Sequence, residues 1–107
     1  MADKETLMKL EKKVIDVLKN IYDPEIPVNI YELGLVYDIN IDNHFKATIT
    51  MTLTAPNCPV AESLPQEVKE RTADIDGISD SEVNIVFEPP WTKDMISESA
   101  LLELGLL

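Results

Sequence analysis

The chain has 107 residues, 20 of them acidic and 9 basic, for a formal net charge of −11. That length fits one domain spanning 1–107, and a composition 45% hydrophobic and 27% charged excludes disorder along the whole chain. The charge argues against nucleic-acid binding, which needs Lys and Arg to displace phosphate counterions, and it suits solubility or a partner with a basic docking face.

Residues 4–22 carry Leu7, Leu10, Val14, Val17, Leu18 and Ile21 at three- and four-residue steps. This is the stripe of an amphipathic helix. Asp23-Pro24 ends it, because a residue before proline avoids helical geometry. Residues 23–34 hold two prolines and a glycine and read as a loop. Ile26, Val28, Ile30 and Leu33 pack that loop onto the body, with a helical turn near 30–33. Over 35–41, Leu35, Tyr37, Ile39 and Ile41 alternate with Val36, Asp38 and Asn40. Asp42-Asn43-His44 is a turn. Over 45–54, Phe45, Ala47, Ile49, Met51 and Leu53 alternate with Lys46, Thr48, Thr50, Thr52 and Thr54. Two such runs about a short turn make an antiparallel hairpin with one buried face.

A second helical region covers about 60–73. Pro65 interrupts it, since an interior proline costs about 3 kcal/mol. The helix either kinks or restarts with Ser63 as N-cap and Gln66 three residues on. Leu64, Val68 and Ile75 face inward. Gly77 permits a turn, and 82–88 reads as a third strand with Val83, Ile85 and Phe87 on one face. Pro89-Pro90 stops it. A final helix over 94–104 presents Met95, Leu101, Leu102 and Leu104 and ends at Gly105. The order α-β-β-α-β-α predicts a two-layer α/β sandwich of α+β type, with helices on one face of a small mixed sheet. The helical crossover allows the third strand to run parallel to a hairpin strand.

The single cysteine excludes an internal disulfide and a complete cysteine-based metal site within one chain. Cys58 sits between Pro56 and Pro59, after a strand and before a helical region. Free amides at a helix start there favour a thiolate; a small apolar core cysteine is the alternative. Asp23 and Glu25 flank Pro24 in a stiffened loop, where carboxylates can orient a ligand or join a hard metal site; a helix stop with an Asx turn is the alternative. Thr52 and Thr54 lead into Cys58, and their hydroxyls can bond a thiolate or sulfide; ordinary β-propensity on a solvated face is the alternative. Trp91 reads as a partner-docking anchor or as the closure of a core edge. His44 lies a strand's length from Cys58, which rules out a Cys–His dyad. The chain has only three glycines and no phosphate loop, Ser-His-Asp set, CxxC or HExxH, so no self-sufficient enzyme site assembles. No run approaches the ~18 apolar residues of a membrane span. A cytoplasmic location, where a lone thiol stays reduced, follows.

Three blocks in register carry a family resemblance. They are Asp23-Pro24-Glu25-Ile26-Pro27 running on to Glu32-Leu33-Gly34-Leu35-Val36-Tyr37; Met51 through Pro59; and Pro89-Pro90-Trp91 followed by Met95 and Leu104-Gly105. In this order and spacing the chain resembles the SufT/PaaD-like metal–sulfur cluster assembly factors over about residues 10–105. The resemblance implies a fold similar to the C-terminal domain of NifU-type scaffolds and a role in maturing iron–sulfur proteins. It places the family's cysteine on Cys58, its acidic pair on Asp23 and Glu25, and a nearby threonine on Thr54. Ala55 stands where members often carry a second threonine, and Asn57 where they often carry glycine.

An iron–sulfur cluster usually takes four ligands. One thiolate therefore implies transient carriage, with further ligands from a second copy in a homodimer, a partner's cysteines, glutathione or nearby oxygens. The expected partners are the assembly machinery and client apoproteins. The competing reading is a metal-free adaptor that docks clients onto that machinery through Trp91 and the acidic loop, Glu25 included. An oxygenase-assembly subunit ranks below both, because the cysteine-rich C-terminal segment of that branch is missing from the sequence. A thiol redox enzyme would need a resolving cysteine.

Overall fold

The computed structural model describes residues 3–23, 27–53 and 63–105. Helix α1 (Lys4–Leu18) starts at Asp3, whose carboxylate accepts the Thr6 N–H at 2.7 Å. Leu10, Val14, Leu18 and Ile21 are buried, as the periodicity predicts. The helix ends at Leu18 rather than at 22. The Ile21 N–H tightens onto the Leu18 carbonyl at 3.2 Å, the Ile30 N–H takes the Ile21 carbonyl at 2.9 Å, and Tyr22 bridges Asn29 antiparallel. A non-local pairing thus claims the backbone that another helical turn would have used.

Strands β1 (Val36–Ile41) and β2 (Lys46–Met51) form the expected antiparallel hairpin. The register slips between Val36, opposite Met51, and Asp38, opposite Thr50. Tyr37 is therefore the extra residue of a bulge. Val36, not Tyr37, shares the inner face with Ile39 and Ile41, because one inserted residue inverts the alternation. At the turn, Asp42 Oδ1 accepts the His44 N–H at 2.8 Å and the Lys46 N–H at 3.0 Å. Phe45 has φ 64°. It closes the turn instead of opening the strand and is half-buried against the core.

Helix α2 (Ser63–Ala73) buries Leu64, Val68 and Thr72. Pro65 falls in its first turn, where a missing N–H costs no intrahelical bond. Gln66 Nε2 donates forward to Glu70 Oε1 at 2.8 Å. Strand β3 (Asp80–Ile85) runs parallel to β2, giving the order β1-β2-β3. Thr72 Oγ1 lies 2.6 Å from Ser81 Oγ and bonds the Val68 carbonyl at 2.7 Å, which fixes α2 over β3. Pairing stops where β2 stops: the Val86 N–H donates to the Met51 carbonyl at 2.9 Å. Phe87, expected on the inner face, is past that point and 47% exposed.

The expected helix over 94–104 is divided into a 3-10 turn (Lys93–Met95) and α3 (Glu98–Leu104). Ile96 is extended and buried between them, Ser97 Oγ caps α3 through the Ala100 N–H at 3.2 Å, and Gly105 ends it in the left-handed conformation. Ile96 and Ala100 are buried and Leu101 and Leu104 pack partly buried against the core, while Leu102 is 59% exposed. Helices α1 and α2 cover the face of Ala47, Ile49 and Met51, and Lys46, Thr48 and Thr50 form the other face. Among the described residues no helix is long and apolar enough to cross a membrane.

The Asp42 carboxyl is held below its ordinary range by the Lys46 N–H first and the His44 N–H second. A lowered folded pKa stabilises the native state above the unfolded value, about 3.9, and that contribution is lost as pH falls through the folded value. Asp42→Asn keeps an acceptor but no charge. Its melting temperature should fall below that of the parent chain at pH 6 and converge on it as the pH falls through the folded value. A gap independent of pH would contradict the assignment.

Candidate functional site

Of the residues singled out by sequence, Asp23, Thr52 and Trp91 gather at the end of the sheet where β1 begins and β2 and β3 finish. Asp23 is 4% exposed, and its N–H donates to the Val28 carbonyl at 3.3 Å. With the Ile21–Ile30 bond this closes the base of the acidic loop. Asn29 Oδ1 then accepts the Glu32 N–H at 2.9 Å and starts one helical turn, with Leu33 and Gly34 donating to the Asn29 and Tyr31 carbonyls at 3.0 and 3.1 Å. The Asn29-x-x-Glu32 spacing is an N-cap signal, and it marks Asn29 as the organiser of this turn.

Leu35 ties the turn to β2. Its N–H donates to the Ile30 carbonyl at 3.2 Å, and its carbonyl accepts the Thr52 N–H at 2.8 Å. A backbone chain thus runs Ile21, Ile30, Leu35, Thr52, from the loop base to the last residues of the hairpin. Thr52 is 1% exposed, so a solvated face does not account for it.

The C-terminal segment braces the same turn. Trp91 Nε1 donates to the Leu33 carbonyl at 2.7 Å, and the Ser97 N–H to the Glu32 carbonyl at 2.8 Å. Tyr37 Oη donates to the Pro89 carbonyl at 2.7 Å, with Met95 Sδ at 3.6 Å. Gly34 has φ 80°, and a Cβ there would collide with the Met95 backbone carbonyl. Lys19 at the end of α1 stands 5.4 Å from the Tyr31 ring centre and 3.9 Å from the Glu32 carboxylate.

Asp23, Thr52 and Trp91 are therefore brought to one end of the sandwich. Trp91 is half-buried with its N–H bonded inside the chain. Glu25, Thr54 and Cys58, with Pro24, Ile26 and the rest of 54–62, lie outside the described residues. His44 sits at the opposite end of β2, whose six residues span on the order of 17 Å. Among the described residues no group of three or more His, Cys, Asp or Glu is arranged to hold a metal ion.

A model of the family described as iron-sulfur cluster assembly protein matches residues 11–88, a span that includes the acidic loop and Cys58. The chain belongs to that family. An Fe-S protein maturation auxiliary factor of Porphyromonas gingivalis is 44% identical over 100 residues, 94% of this chain and 95% of that one. The Fe-S protein maturation auxiliary factor SufT of Staphylococcus aureus is 46% identical over 86 residues, 80% of this chain and 98% of that one. A crystal structure of a domain of unknown function from Bacillus anthracis superposes with TM-score 0.89 at 36% identity, covering 98% of this chain and 100% of that one. The assembly-family resemblance seen in the three sequence blocks is thereby shown, and the α+β fold is shared with a solved structure.

The brace around the 29–34 turn has a measurable cost of removal. Gly34→Ala forces a side chain into a positive-φ position against backbone and should lower unfolding free energy by about 2 kcal/mol. Trp91→Phe keeps the ring but strands the Leu33 carbonyl and should cost about 1 kcal/mol. Urea unfolding curves check both; an unaffected Gly34→Ala midpoint would refute the close approach.

Proposed function

We propose that this protein is an iron–sulfur cluster maturation factor that carries a cluster transiently through Cys58 and hands it to client apoproteins. The supporting observation is the backbone chain Ile21–Ile30–Leu35–Thr52. It brings the base of the acidic loop to the strand end from which the Cys58 segment departs. Cys58 supplies a thiolate, while Asp23, Glu25 and Thr54 supply oxygens for iron or for hydrogen bonds to sulfide. The remaining ligands come from a second copy, a client's cysteines or glutathione, in the reducing cytoplasm where thiols persist.

Transfer in this scheme is ligand exchange. A client thiol loses its proton and bonds iron, the iron–Cys58 bond breaks, and the Cys58 sulfur takes up a proton. No electrons change hands and no substrate bond is made by the protein, so the role is carriage rather than catalysis. A site with one permanent thiolate releases its cargo more readily than one with four.

Tyr22, 58% exposed beside the acidic loop, and Phe87 just past β3 favour a second reading. Two large exposed rings at the same end suit a docking face, and a metal-free adaptor would use them without Cys58. The experiment is anaerobic reconstitution with iron and sulfide. The parent chain should gain a labile visible chromophore with matched iron and sulfide, and Cys58→Ser should lose it by tenfold or more. Equal chromophore and metal content in Cys58→Ser would sink carriage, and client pull-down that survives Cys58→Ser would then support the adaptor.

A further inference from the structure

The segment between β3 and α3 crosses the end of the sheet that carries Asp23 and Thr52 as a strap. From Phe87 to Met95 no residue is buried, and Trp91 packs only half-buried against the core. Full burial of an apolar side chain therefore does not pin this stretch. Directional contacts do, and they converge on residues 32–37. Tyr37 Oη donates to the Pro89 carbonyl at 2.7 Å, Trp91 Nε1 to the Leu33 carbonyl at 2.7 Å, and the Ser97 N–H to the Glu32 carbonyl at 2.8 Å. Gly34 lies so close to the Met95 carbonyl that a Cβ would collide with it.

Glu32 and Leu33 end the helical turn that Asn29 starts. The last carbonyls of a helical turn have no partner within it. Leu33 is fully buried, so its carbonyl depends on a donor from elsewhere in the chain. Trp91 supplies that donor.

The turn so fixed is coupled on both sides. The Ile30 N–H holds the Ile21 carbonyl, next to the loop base where the Asp23 N–H meets Val28, and the Leu35 carbonyl holds the Thr52 N–H. A displaced turn therefore changes the spacing between Asp23 and Thr52. Ligand groups need to be held within about 0.5 Å of their working geometry, and supporting hydrogen bonds are what hold them there.

We propose that Trp91 is a positioning residue for cluster carriage. Its indole N–H, acting through the Leu33 carbonyl, sets the spacing between the acidic loop at Asp23 and the strand end at Thr52 from which the Cys58 segment departs. This role rests on the carrier reading above. A ring that only closed a core edge would do so equally well without its N–H, so the donor is what separates the two roles.

The test exploits the chain's single tryptophan. It can be replaced throughout by benzothienylalanine, an isostere whose sulfur removes the N–H, or by a fluorotryptophan that keeps it. Amide shifts of the empty 15N-labelled chain read the placement. The rate of cluster loss to a chelator after anaerobic reconstitution reads the consequence. Benzothienylalanine should move the amides of Asp23, Leu35 and Thr52 and speed cluster loss on the order of tenfold. Fluorotryptophan should restore both. Thr72→Val removes the hydroxyl that meets Ser81 where α2 lies over β3. It loosens the chain elsewhere and should leave the loss rate within about twofold of the parent. Unmoved amides at Asp23 and Thr52, an unchanged loss rate with benzothienylalanine, or equal acceleration by Thr72→Val would each overturn the positioning role. A parent chain that takes up no chromophore would defeat carriage and this role with it. A parent that loads normally beside an unaffected benzothienylalanine form would defeat only the part played by Trp91.

Discussion

Leu35 joins the two halves of the working end. Its side chain is fully buried, its N–H is given to Ile30 and its carbonyl to Thr52. Buried backbone groups must be paired, since each one stranded costs about 1–3 kcal/mol. Neither bond can be surrendered without loosening both the 29–34 turn and the exit of β2. The bulge at Tyr37 follows from the same constraint. Val36 must face inward opposite Met51 just after Leu35 has been used to hold the turn, and an extra residue restores the alternation needed by Ile39 and Ile41. The displaced Tyr37 then reaches Pro89 and helps anchor the C-terminal segment.

That rigidity matters for the proposed carriage. A chain of net charge −11 attracts cations, and a metal-bound thiol is deprotonated, so if Cys58 takes up cargo, the bond to iron rather than a tuned side chain would set the charge on its sulfur.

Much of this was legible in the sequence. Short-range periodicity located α1 through Leu10, Val14 and Leu18, and double alternation located the hairpin through Ala47, Ile49 and Met51. The pairing of Asp23 with its loop partners was not legible, because it depends on Tyr22 meeting Asn29 across the loop. Strand ends are hidden from the sequence for a related reason. Phe87 continues the alternation of Val83 and Ile85, yet it has no strand beside it once β2 ends at Met51. Phe45 begins the alternation on paper and is spent on the turn. In the C-terminal stretch, one apolar run concealed a cap at Ser97, because its N–H is drawn to Glu32, distant in sequence. The candidate site residues are legible by type and spacing, whereas the braces Leu33 and Ser97 act through backbone groups that every residue possesses, and Asn29 adds a side-chain cap on Glu32.

Helix α1 relates the two ends of the molecule. Its first turns stand beside the hairpin turn and the α2–β3 connection, and its last turn leads through Ile21 to the acidic loop. Fifteen residues at 1.5 Å each separate those ends by about 22 Å. The buried stripe of Leu10, Val14 and Leu18 prevents the helix from turning or sliding against the sheet. The loop end is therefore held at a fixed distance from the hairpin turn, and a client approaching Cys58 in the proposed role would meet a frame that does not shift beneath it.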